Sequence, residues 1–211
     1  MTTLSVNNIE RKTWLGMSRI AWWAFIGIFF INILGGALHF AYELSNYSKP
    51  VAFFASVNES TWEHLKFYFW SGLLWSFIQY TYVRKDTDNF WFAQSIGLFV
   101  TPLIICLTFY AYLGVALPMN GKGTLPADIG TGVLGVIVGA IFASKIMQMP
   151  KIKPSTTWIG IGLLVVMIAM FSLFTYFPPE MFIFEDFWGY TYNGKYGILD
   201  AATYEKYKIF R

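Results

Sequence analysis

The sequence predicts an all-α, polytopic membrane helix bundle of about five transmembrane helices, ending in a short extracytoplasmic, aromatic-rich C-terminal tail. Three observations carry that reading. Of 211 residues, 56% are hydrophobic and only 13% are charged, more apolar surface than a soluble domain of this length buries. Residues 20–42, 61–83, 91–115, 129–149 and 157–177 each reach the ~20 mainly apolar residues that cross ~30 Å of hydrocarbon as a helix. Lipid offers backbone polar groups no partner, so each crossing must be helical. With the N-terminus inside, Arg11, Lys12, Arg19, Arg84, Lys85, Lys145, Lys151 and Lys153 share one face, whereas Glu43, Glu59, Glu63, Glu180, Glu185 and Asp186 fall on the other. That positive-inside pattern predicts an N-terminus that is cytoplasmic and a C-terminus that is extracytoplasmic, and the membrane is expected to be the plasma membrane. The net charge of +3 belongs to short inner loops and predicts no nucleic-acid partner; the lipid bilayer is the expected one.

The elements follow in order. Residues 1–19 read as a cytoplasmic arm, with Trp14 and Trp22 as interfacial anchors. The first span is too long for a signal-peptide core and is read as retained. On it, Asn32, Gly35, Gly36, His39, Tyr42 and Glu43 recur at spacings of three and four, a stripe expected to face protein. The link that follows holds an apolar piece, residues 51–57, too short to span. Ser60-Thr-Trp-Glu63 then forms a capping box, which sets the start of the second span near Thr61. Gly72, Ser76, Gln79 and Tyr80 continue that span as a small and polar stripe. A short inner turn makes spans two and three antiparallel neighbours. Span three carries Gln94, Thr101 and Thr108 at heptad spacing, a kinking Pro102, and the lone Cys106, which excludes an intramolecular disulfide. Span four presents Gly132, Gly135 and Gly139 on one face, suited to close helix contact within the chain, with a membrane-protein partner or in a homo-oligomer. The bundle is expected over residues 20–178, ended by Pro178-Pro179, and the tail over 179–211. In that tail Asn193-Gly194 predicts a tight hairpin between Tyr190-Thr-Tyr192 and Lys195-Tyr196, and Asp200 a cap for a last short helix. By the charge argument the tail shares the face of the histidines.

Both histidines of the chain lie at adjoining ends of the first two spans, in His39-Phe-Ala-Tyr-Glu43 and Val57-Asn-Glu-Ser-Thr-Trp-Glu-His-Leu-Lys66. Antiparallel spans bring these ends to one depth, so two imidazoles and several carboxylates share a partly desolvated volume. Groups so placed are paired, neutralised or bound to a cation. His39, Glu43, Glu63 and His64 are the predicted ligands of a divalent metal such as zinc, with Glu59 and Glu63 as candidate catalytic carboxylates. No nucleotide or organic cofactor is indicated, and neither a serine nucleophile elbow nor a phosphate loop is present. A site at one mouth predicts a metal-dependent enzyme acting on an envelope or lipid-borne substrate. The alternatives are a structural or accessory subunit whose His/Glu network only packs helices, and a small transporter or substrate-capture subunit. Transport would need a polar path through Asn32, Gln79, Gln94 and Thr101.

His-Phe-x-Tyr-Glu followed by Val-Asn-Glu-Ser-x-Trp-Glu-His-x-Lys resembles the signature of domain of unknown function family 6512, an uncharacterised group of small bacterial multi-pass membrane proteins. Tyr176-Phe-Pro-Pro179, Phe184-Glu-Asp186 and Tyr196-Gly-Ile198 are similar to that family's ending, so the likeness runs along essentially the whole chain. Glu180 stands where the resemblance leads one to expect a histidine, and the tail supplies no third imidazole. The resemblance implies an architecture and brings no reaction with it.

Overall fold

A computed structural model of the protein describes residues 17–199 and 203–204. The expected N-terminal arm, but for its last residues, and Asp200 lie outside the described residues. Among the described residues six α-helices follow one another: α1 Arg19–Leu44, α2 Lys49–Ala52, α3 Thr61–Val83, α4 Phe90–Asn120, α5 Leu125–Met147 and α6 Ser155–Tyr176; a 3-10 turn, Trp188–Tyr190, lies in the tail. Four of them, α1, α4, α5 and α6, are long and apolar enough to cross a membrane. Their outer faces carry exposed Phe29, Ile33, Leu107 and Trp158, apolar surface that lipid would cover. At 23 residues α3 is as long as α5 but less apolar, and it is the helix whose side chains are mostly inside the protein, against α1, α4 and α6. Its polar residues meet protein groups instead of lipid. The core around it joins Trp62, Leu65, Phe69 and Leu73 to Leu98 and Ile105 of α4 and to Phe171 of α6.

Helix boundaries follow local chemistry. Ser18 and Ser60 cap α1 and α3, their hydroxyls accepting from the amides of Ala21 at 3.2 Å and Glu63 at 3.3 Å. Only half of the expected capping box forms. The Ser60 amide donates to Asn58 Oδ1 at 2.8 Å instead, and the Glu63 carboxylate turns elsewhere. Helix α4 runs past the expected end at Val115 because both Pro102 and Pro118 are accommodated within it; Gly121, at φ +70°, takes the left-handed position that stops it.

The glycine face of α5 is filled from within the chain. A Cβ on Gly139 would stand 2.1 Å from Thr101 Oγ1, and one on Gly135 would stand 2.9 Å from the Thr101 carbonyl oxygen. One on Gly132 would meet the Tyr68 hydroxyl at 2.0 Å. Within the chain, the face of Gly132, Gly135 and Gly139 is filled by α4 and by Tyr68 of α3. The α1 stripe is corrected at Gly36, which is exposed with open space around it while Gly35 is buried against Phe67. A step of about 100° per residue carries Gly36 off the packed face.

The tail folds back over the end of the bundle that holds the histidines. Trp62 N donates to Ile183 O at 2.9 Å, and Asn58 Nδ2 donates to Gly197 O at 2.8 Å. The expected two-residue hairpin is replaced by a wider loop, in which Glu185 bridges Tyr196 and Asp186 N donates to Lys195 O at 2.8 Å. The turn at Trp188–Tyr190 occupies residues that would have paired, and Asn193 and Gly194 bond to Asp186 and Glu185.

Candidate metal centre

Three chain segments converge at this mouth. His39 lies near the end of α1, about 7 Å of helix rise before Leu44. His64 lies in the first turn of α3, and Glu59 immediately precedes that helix's cap. The linker between them is pinned rather than loose. Ala52, Ala55 and Val57 are fully buried with Tyr42, so the short apolar piece folds into the bundle mouth. The amide of Glu59 donates to Asp186 Oδ1 at 2.9 Å, so the tail sets the direction of this residue. Tyr204 donates its hydroxyl to Val57 O at 2.8 Å and accepts from Leu199 N at 3.1 Å. Burial raises the Tyr204 phenol above its ordinary value, which keeps it a donor at neutral pH.

The imidazoles of His39 and His64 lie 5.1 Å apart between centroids, with Glu59 spanning them: one carboxylate oxygen is 3.8 Å from His39 Nε2 and the other 3.5 Å from His64 Nε2. One donor atom from each of the three residues falls within 4.8 Å of the others, so the group could hold a metal ion. His64 Nδ1 lies 2.8 Å from the Ser60 carbonyl oxygen, which can only accept, so Nδ1 carries a proton and Nε2 is the nitrogen that faces Glu59. A backbone carbonyl behind the ring is the usual way a ligating histidine is oriented. His39 is held by packing instead, edge-on to Phe40 and Phe67 at 4.7 and 5.8 Å. Its buried Nδ1 has no hydrogen-bond partner among the described residues. Phe67, also edge-on to His64 at 5.6 Å and itself buried, floors the group.

The other predicted site residues are distributed differently. Glu43 is not in the triad but lines the adjoining pocket with His39 and Glu59. Glu63 belongs to a second, closed network. Its Oε1 accepts from Thr175 Oγ1 at 2.9 Å; its Oε2 accepts from Val57 N at 3.1 Å and from Lys66 Nζ at 2.5 Å. Lys66 also donates to Ala52 O at 2.9 Å and Thr175 Oγ1 at 2.7 Å. The structure thus separates Glu63 from the imidazoles it was expected to join and commits it to tying α2, α3 and α6 together. Glu59, expected to be catalytic, is the carboxylate placed between the rings. Lys66 neutralises the Glu63 carboxylate, as the Glu63-x-x-Lys66 spacing allows, whereas Thr175 carries no local signal.

Fold and site define a class: an all-helical bundle with membrane-type helices and a two-histidine, one-carboxylate group at one mouth. The model of a family of unknown function, DUF6512, matches residues 12–198, and the chain belongs to that family. No curated protein and no solved structure matches it.

Proposed function

We propose that the protein is a membrane-embedded enzyme that uses a divalent cation, zinc or another first-row metal, held by His39, Glu59 and His64 at the extracytoplasmic mouth of a plasma-membrane bundle. One observation carries this reading. The 3.5 and 3.8 Å separations between imidazole nitrogens and Glu59 oxygens exceed the ~2.7–3.2 Å of a hydrogen bond. The 3.5 Å separation is near the about 3.3–3.5 Å between two ligand atoms bound at ~2.0–2.1 Å to one tetrahedral ion, and the 3.8 Å one, to the other carboxylate oxygen, is a few tenths wider. A structural histidine pair would be expected to satisfy Nε2 by a direct hydrogen bond, and neither ring has one to Glu59.

Three protein ligands leave a coordination position for water or substrate, and a bound divalent ion supplies Lewis acidity and an activated water there. The side chains of His39, Glu59 and His64 are 20, 28 and 34% exposed, open enough for a substrate to approach. A surface depth favours a substrate carried in or beside the outer leaflet. Phe67 beneath the rings weighs against ion passage toward the buried Gln79–Gln94 pair deeper in the bundle.

Elemental analysis of protein purified from metal-replete cells tests the reading. About one divalent ion per chain is expected in the wild type, with background levels in His39→Ala and His64→Ala variants that keep their helicity. Equal, negligible metal in all three removes the proposal, and the element found discriminates zinc from iron.

A further inference from the structure

Two stripes of exposed apolar side chains run along the bundle toward the histidine end. On α4 they are Phe99, Leu103 and Leu107, and on α6 and its cap Met170, Leu173 and Phe177, at spacings of three and four. Both lead to the turn that opens the tail. Pro178 and Pro179 follow the end of α6; Met181 N then donates to Pro179 O and Phe184 N to Met181 O, both at 2.9 Å. This turn is pinned on one side only. Phe184 is buried against Trp62 and Phe174, with ring centroids at 4.7 and 5.5 Å, whereas Met181 and Phe182 are 53 and 54% exposed. The Phe182 ring stands edge-on to Tyr110 at 5.4 Å, one turn of α4 beyond Leu107, so it extends the α4 stripe.

We infer that this turn is an interfacial anchor: Met181 and Phe182 are seated where acyl chains meet headgroups in the leaflet on the histidine side, and their partner is lipid, not protein. Depth supports that occupant. Helix α4 leaves the charged turn of Arg84, Lys85 and Asp88 at Phe90, and Tyr110 stands about 30 Å of rise further on, the ~30 Å thickness of the hydrocarbon core. On α6, exposed Trp158 and Phe177 are about 28 Å of rise apart. Tyr110 and Tyr176 therefore mark a boundary, their hydroxyls 2.7 Å from Thr61 Oγ1 and 2.8 Å from Lys49 O, as tyrosines are placed where lipid meets water. Phe182 touches Tyr110 at that level, and Glu180 is the one charged residue from 177 to 184. The same seating fixes the depth of the histidine–carboxylate group. Asp186 of the following segment holds the Glu59 amide, and His64 lies about 4.5 Å of helix rise from Thr61, which meets Tyr110. The group thus lies within about one helical turn of the headgroups.

Spin labels read the occupant directly. Full-length protein carrying Cys106→Ser receives one nitroxide at a time through Leu107→Cys, Lys122→Cys, Met181→Cys or Phe182→Cys, and is placed in phosphatidylcholine nanodiscs. Power saturation compares collisions with oxygen, which concentrates in hydrocarbon, and with a nickel chelate, which stays in water. Labels at 181 and 182 are expected to approach the Leu107 label, with an oxygen-to-nickel ratio severalfold above that at Lys122, exposed between α4 and α5. A ratio nearer that of Lys122 at either position puts the turn in water and overturns the inference. Low collision with both reagents at either position means that protein covers it, residues 205–211 or a partner chain, and overturns it equally. Should one variant lose its helicity, the other decides. No metal enters the measurement, so its outcome is separate from that of the metal reading.

Discussion

Two clusters of ionisable groups lie about one helical turn apart around the start of α3, and they are built in opposite ways. In the inner one Lys66 and Glu63 are 0 and 2% exposed, and the ammonium has three acceptors: Ala52 O, Thr175 Oγ1 and Glu63 Oε2. Its polar capacity is consumed by the fold. In the outer one the two rings and Glu59 stand beyond ordinary hydrogen-bond distance of one another and are partly exposed. Closed networks specify packing, whereas an open set of lone pairs remains available to a cation.

Substitutions can break this contrast. Lys66→Met strands the Glu63 carboxylate in a dry site, and should cost about 3–5 kcal/mol, read as a loss of thermal or denaturant stability in detergent. Tyr204→Phe leaves the Val57 carbonyl and Leu199 amide without their shared partner, and should cost about 1–3 kcal/mol, with faster hydrogen exchange in the tail. Glu59→Gln keeps the side chain's shape and the Glu59 amide bond to Asp186, so apo stability should change by less than ~1 kcal/mol while metal affinity falls sharply. An outer cluster that proves as stabilising as the inner one would erase the distinction.

Acidification sharpens the contrast further. A metal requires deprotonated imidazoles, so protons compete with it. Occupancy should decline with proton uptake as pH falls, measured by equilibrium dialysis. Metal release on acidification that takes up no protons would argue that the imidazoles are not its ligands.

Much of the architecture was legible in the sequence because it depends on local rules. Apolar runs of membrane length marked α1, α4, α5 and α6, and Ser60 marked the start of α3. The glycines of α5 announced close contact, but their spacing says nothing about which helix fills them; Thr101 and Tyr68 do. The convergence of His39 and His64 also followed from antiparallel connection. Which carboxylate joins them did not. Glu59 is oriented by Asp186, 127 residues away, and Glu63 is drawn off by Thr175, 112 residues away. Such choices are made by tertiary contacts that residue spacing cannot encode.

The central claim, that His39, Glu59 and His64 act as one ligand set, is tested most directly by X-ray absorption at the edge of the bound metal. Two imidazoles and at least one oxygen ligand at ~2.0–2.1 Å are predicted in the wild type, with the imidazole count falling to one in any metal retained by His64→Ala. A coordination shell without imidazole, or one unchanged in that variant, would contradict the account.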